Sequence, residues 1–105
     1  MDTMCIQRRA FERIPVNIKV RFYCYDTDYL GTVTNLSENG MFISMNKMLF
    51  PFDSRIDIII PLSDKLLRVP VLVIRMTRSE QIFDGMGVEV LNSSPDYLAF
   101  VSSLK

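Results

Sequence analysis

Between positions 16 and 22 apolar and polar residues alternate without a break. Val16, Ile18, Val20 and Phe22 fall in one register, and Asn17, Lys19 and Arg21 in the other. Successive side chains of a strand point to opposite faces, so this run is the period-2 signature of a half-buried strand, which we extend to Tyr25. Similar runs follow at short intervals. Residues 29–35 are rich in Thr and Val, 41–45 form a third strand, and 55–60 a fourth, ended by Pro61 and a turn at Ser63-Asp64. A fifth strand covers 66–77, where Pro70 predicts a bulge or an edge because it cannot donate to the ladder. A sixth lies within 81–91, with Asp84-Gly85 as a turn or bulge signal. Between these runs, 26–28 reads as a turn and 35–40 as a loop of Asn, Ser, Asn and Gly.

The last segment changes period. Ser94 is a good N-cap, Pro95 suits the first helical position, and Asp96 falls in the first turn. Tyr97, Leu98, Val101 and Leu104 then recur at helical spacing, so the helix should lay that stripe on the sheet at an open barrel end. Six short strands and one C-terminal helix predict a mainly β fold, a small six-stranded antiparallel β-barrel. Residues 1–13 are charged and aperiodic and read as a flexible N-terminal arm, with 14–105 as the single domain. The loop 46–54 carries Met48, Leu49, Phe50 and Phe52, which either lid the core or form a contact patch.

Charge and composition narrow the function classes. The chain has 12 basic and 12 acidic residues, so a general nucleic-acid coat, which rests on a basic excess, is not expected. The balance is local, however. Arg8, Arg9, Arg13, Lys19 and Arg21 cluster early, which suits a small anionic ligand better than a polyanion. Histidine is absent, and Cys5 and Cys24 match no metal-ligand spacing, so no metal site is expected. Both cysteines read as reduced thiols in preference to a disulfide. No signal peptide is visible, and no apolar run approaches the roughly 20 residues of a membrane-spanning helix, so a cytoplasmic protein without membrane insertion is the expectation. Catalysis is not expected either, because Ser37 has no candidate base beside it.

Two stretches remain that can carry chemistry. Arg9 and Arg13 stand four residues apart, with Arg8 ahead of them. A guanidinium can fork onto phosphate oxygens or the O6/N7 edge of guanine, and it can stack on a base. The alternative is a solvated basic tail. The second stretch, Asn35-Leu36-Ser37-Glu38-Asn39-Gly40, presents a side-chain amide and a hydroxyl to a purine edge, with Gly40 permitting a left-handed turn or close ligand approach. Its alternative is a turn that caps its own backbone.

Taken together, the two stretches resemble the PilZ domain family. Arg9 and Arg13 match its RxxxR signature, and Asn35, Ser37 and Gly40 match its Asp/Asn-x-Ser-x-x-Gly signature. The flanks Arg13-Ile14-Pro15-Val16, Gly40-Met41-Phe42-Ile43 and Gly85-Met86-Gly87-Val88-Glu89-Val90 are similar too. The resemblance implies a six-stranded barrel that binds cyclic di-GMP, a bacterial second messenger, with no cofactor. It implies that Arg9 and Arg13 clamp the ligand, that Asn35 and Ser37 read a guanine, and that Gly40 gives backbone access. Arg8 resembles the variants that hold two stacked ligand molecules. A receptor of this kind acts on a separate downstream effector protein in motility, pilus or exopolysaccharide control. The competing reading is a PilZ-type interaction module independent of nucleotide. RNA binding would need aromatics interleaved with basic residues, a pattern that Phe22, Tyr23 and Tyr25 supply only beside Lys19 and Arg21.

Overall fold

The alternation that begins at Val16 is realised as β1, Ile14–Cys24, with Val20 and Phe22 fully inside and Lys19, Arg21 and Tyr23 outside. A computed structural model describes residues 12–24, 27–48, 55–79 and 82–105. Arg8, Arg9, Cys5 and most of the arm, the tip at 25–26, and residues 49–54 of the apolar loop lie outside the described residues. Five more strands follow: β2 Thr27–Leu36, β3 Gly40–Met48, β4 Arg55–Pro61, β5 Leu66–Ser79 and β6 Ile82–Val90. All pairings are antiparallel, and the ring β1-β2-β3-β6-β5-β4 closes into a barrel. Closure leaves no sheet edge to protect. Among the described residues no helix is long and apolar enough to cross a membrane.

The core is the inward set of each strand. Val20, Phe22, Val33, Ile43, Ile58, Ile60, Val69, Val71, Met86 and Val88 meet inside the ring. Pro70 sits at neither an edge nor a bulge. It pairs with Asp57, and its carbonyl accepts from Leu91 N at 2.9 Å. Its missing N–H faces the side on which β6 ends at Val90, so one bond at the end of a ladder is lost. The bulges in its ladder with β6 fall later: β5 carries the extra residue between Val73 and Arg75, and β6 carries it opposite Thr77 and Arg78. The second of these leaves Asp84 of β6 without a partner in the ladder, and its carboxylate accepts from the Thr77 hydroxyl at 2.9 Å.

Helix α1, Pro95–Ser103, starts as its sequence dictates. The Ser94 hydroxyl accepts from Tyr97 N at 3.1 Å, with Pro95 in the first turn. Tyr97 and Val101 are buried in the core, while Phe100 and Leu104 pack against it. Leu98 is instead exposed. One position past Tyr97 turns a side chain about 100° around the axis, so the buried stripe follows 97, 100, 101 and 104. The helix is tethered at one end of the barrel, where β1, β3 and β5 begin and β2, β4 and β6 end. Ser93 Oγ donates to the Glu38 carbonyl at 2.9 Å, and ion pairs join Lys65 to Asp96 and Lys105 to Glu38, each at 3.3 Å.

Candidate functional site

The barrel end covered by α1 is also where the two sequence stretches meet. Arg13 is the last residue before β1, and its Nε donates to Oδ1 of Asn35 at 2.9 Å, across 22 residues of chain. Asn35 lies within β2, paired with Pro15 on one side and Phe42 on the other, and is not part of the loop. Its outward aim has a cause in the ladder. Between the pairs Val33–Ile43 and Asn35–Phe42, β2 carries one extra residue, Thr34. Strict alternation from Gly31 and Val33 would drive Asn35 into the core. The bulge shifts the parity, so Leu36 goes inside and Asn35 comes out.

Only residues 37–39 remain as the connection between β2 and β3, and Ser37 is its internal brace. Ser37 is 1% exposed. Its hydroxyl donates to Asn39 Oδ1 at 3.0 Å, its N–H donates to the Gly40 carbonyl at 2.8 Å, and its own carbonyl accepts from the Tyr97 hydroxyl at 2.6 Å. In this arrangement the hydroxyl is turned into the loop, not towards the groove. Burial pushes the Tyr97 phenol well above its usual range, the Arg13 guanidinium pulls the other way, and Glu38 adds to the rise.

Gly40 does not take the left-handed conformation, and no described glycine has a positive φ. A Cβ there would stand 2.9 Å from the Val88 carbonyl oxygen of β6 and 3.3 Å from Nη1 of Arg13. Gly40 is therefore required by the close approach of a strand backbone and of the Arg13 guanidinium.

Next to Arg13 and Asn35 an open groove of about 490 Å³ is walled by Pro15, Phe42 and Arg75. Phe42 and Arg75 were not singled out in the sequence. The Arg75 guanidinium lies 5.9 Å from the centre of the Phe42 ring, within cation–π range. The two meet because the outer face of β6 carries glycines between them. A Cβ on Gly85 would be 2.7 Å from Cζ of Phe42, so the ring occupies the space a side chain would fill. The Gly85-x-Gly87 spacing was the available signal that something packs over β6. The groove thus offers two guanidiniums, an amide and an aromatic face, a set suited to a planar base with an attached anion.

A family model described as the PilZ domain matches residues 7–102. The chain belongs to the PilZ domain family. In fold this PilZ domain is similar to the PilZ domain of YcgR from Escherichia coli with c-di-GMP, at a TM-score of 0.71 and 16% identity over 93% of this chain and 92% of that one. It is also similar to the Bacillus subtilis inhibitor of motility MotI/DgrA, at 0.74 and 18% over 93% of this chain and 50% of that one. The PilZ domain of CeSA from a cellulose-synthesizing bacterium matches at 0.61 and 20%, over 89% and 93%. No curated protein matches the chain in sequence. Of the signature residues of this PilZ domain, Arg13, Asn35 and Gly40 come together at the groove, Ser37 braces the loop beneath it, and Arg8 and Arg9 lie outside the described residues.

Proposed function

We propose that this chain is a receptor and adaptor for cyclic di-GMP, a binding module and not a catalyst. The observation that carries this reading is the convergence of Arg13, Asn35, Phe42 and Arg75 on one groove, from four separate strands or strand ends. A guanine would lie in the groove against Arg75 and Phe42, with its polar edge at Asn35, while Arg9 and Arg13 take phosphate oxygens or a second guanine edge. Ser37 and Gly40 give the 37–40 turn the shape that lets Arg13 approach. The E. coli YcgR domain with c-di-GMP supports the choice of ligand. Ligand bridging Arg8 and Arg9 to the groove would hold the arm, residues 1–13, against the barrel, reshaping the surface offered to a separate effector protein in motility, pilus or exopolysaccharide control.

Isothermal titration with cyclic di-GMP, with GTP as control, tests the reading. Saturable binding lost in Arg9→Ala and Asn35→Ala is the expected result. A stoichiometry near two, falling to one in Arg8→Ala, would assign Arg8 to a second stacked ligand. No heat from the folded protein would overturn the receptor reading and leave an interaction module.

A further inference from the structure

Across the ring from the groove the barrel wall is unlike a water-facing sheet. In the order β1-β2-β3-β6-β5-β4, β4 stands opposite β3, which carries Phe42. On the outside of β2, β1, β4 and β5 the pairs Leu30–Arg21, Arg21–Ile59 and Ile59–Arg68 form one row perpendicular to the strands. The row alternates apolar, basic, apolar, basic. Leu66 and Tyr23 flank it, and Leu30, Tyr23 and Leu66 are 61%, 54% and 69% exposed. They are three of the five large hydrophobic side chains exposed among the described residues, gathered on one wall. Between Arg21, Tyr23, Ile59, Leu66 and Arg68 lies a pocket of about 420 Å³.

The arginines are available. Arg21 and Arg68 each have a carboxylate, Asp28 and Asp57, at 3.6 Å, in pairs that are largely exposed and therefore weak. Two strand spacings separate the arginines' backbones by about 10 Å. That span matches side chains two turns apart on a helix, about 10.5 Å. The closed ring offers no strand edge here, so a partner is received by side chains and not by strand addition.

We propose that this wall docks an acidic, apolar-faced segment of a partner protein, with two carboxylates meeting Arg21 and Arg68 and an apolar side chain between them seated over Ile59. The chemistry discriminates among occupants. Asp28 and Asp57 offset part of the arginines' charge, so charge alone does not hold an occupant here and an apolar contact over Ile59 is needed as well, which a phosphate polyanion does not supply. A two-fold contact with a second copy would set this arginine-flanked face against itself.

The test is selection of a displayed library of random 16-residue peptides on the full chain. Enrichment of peptides with acidic residues around Leu, Ile or Phe is expected. Their affinity should fall at least tenfold in Arg21→Glu/Arg68→Glu and in Leu66→Lys, while each variant keeps its melting temperature and its response to cyclic di-GMP. The groove reading stands or falls separately, because none of these side chains lines the groove. Lack of enrichment, enrichment of basic peptides, or unchanged binding by both variants would overturn the proposal. So would a dimer in sedimentation, or binding to phosphatidylglycerol vesicles, that these substitutions abolish.

Discussion

Arg13 donates from Nε to Oδ1 of Asn35 at 2.9 Å, so one residue from each signature is joined to the other in the barrel. The bond uses one lone pair of the amide oxygen and leaves the second, with both N–H donors, for other partners. It also fixes the Arg13 guanidinium beside the groove, and a side chain held in place by the protein itself lowers the ordering cost of ligand capture. Truncating Arg13 to Ala should weaken cyclic di-GMP binding by about 2–5 kcal/mol, as for a desolvated charge pair losing one partner. Titration calorimetry of the variant checks this, and a loss of a few tenths of a kcal/mol would remove Arg13 from the clamp.

Tyr97 joins the helix to the signature loop through its 2.6 Å bond to the Ser37 carbonyl. Tyr97→Phe leaves that buried acceptor unsatisfied and should destabilise the fold by about 1–3 kcal/mol. The pH dependence follows from burial, which raises the folded phenol above its unfolded value. Below that unfolded value, near pH 10, both states hold the proton and the contribution is whole. Above it the unfolded chain ionises first, so stability is lost as pH rises towards the folded value. Urea unfolding of wild type and Tyr97→Phe should differ by a constant amount up to about pH 9, and the gap should narrow at higher pH. A gap independent of pH through that range would show that the phenol is not held neutral by the fold.

The legible parts of the fold were those set by local period. The run from Val16 to Phe22 placed β1, and Ser94-Pro95 placed the start of the helix, because parity and capping depend on neighbours in sequence. Asn35 was legible as a site residue through its signature and as the junction of the second strand and the loop, but the direction in which it points was not. Its outward aim depends on Thr34 being surplus against β3, which is a property of the pairing. Gly40 was read as permitting a left-handed turn or close ligand approach; its φ is not left-handed, and the constraint seen comes from Val88 and Arg13, both distant in sequence. Arg75 was hidden for the same reason, since one of the three arginines of β5 acquires its role from Phe42 and the glycines of β6.

Gly40 and Gly87 separate close packing from mere glycine content. A methyl at Gly40 meets the Val88 carbonyl at 2.9 Å, where strand backbone has to move, and crowds Arg13. Gly40→Ala should destabilise the barrel by about 1–3 kcal/mol and weaken ligand binding as well. At Gly87 the nearest atom would be Arg75 Nε at 3.6 Å, an ordinary contact. Gly87→Ala should leave stability unchanged or raise it by up to about 1 kcal/mol through the unfolded chain. Thermal melts of the two variants test the contrast, and equal losses would refute it.

Arg75 gives the sharpest test of groove chemistry, because its charge and its planar face can be separated. It stands 5.9 Å from the Phe42 ring and is exposed, so neither Arg75→Lys nor Arg75→Ala should unfold the barrel. If the guanidinium stacks on a guanine, lysine keeps the charge but loses the plane and the fork. Both variants should then bind cyclic di-GMP about tenfold or more weakly, a cation–π contact between desolvated groups being worth about 2 kcal/mol. If Arg75 only supplied positive potential, Arg75→Lys would bind as wild type and the loss in Arg75→Ala would fade with added salt. Calorimetric titration of the three proteins at low and high salt distinguishes these outcomes, and lysine matching arginine would remove the stacking role.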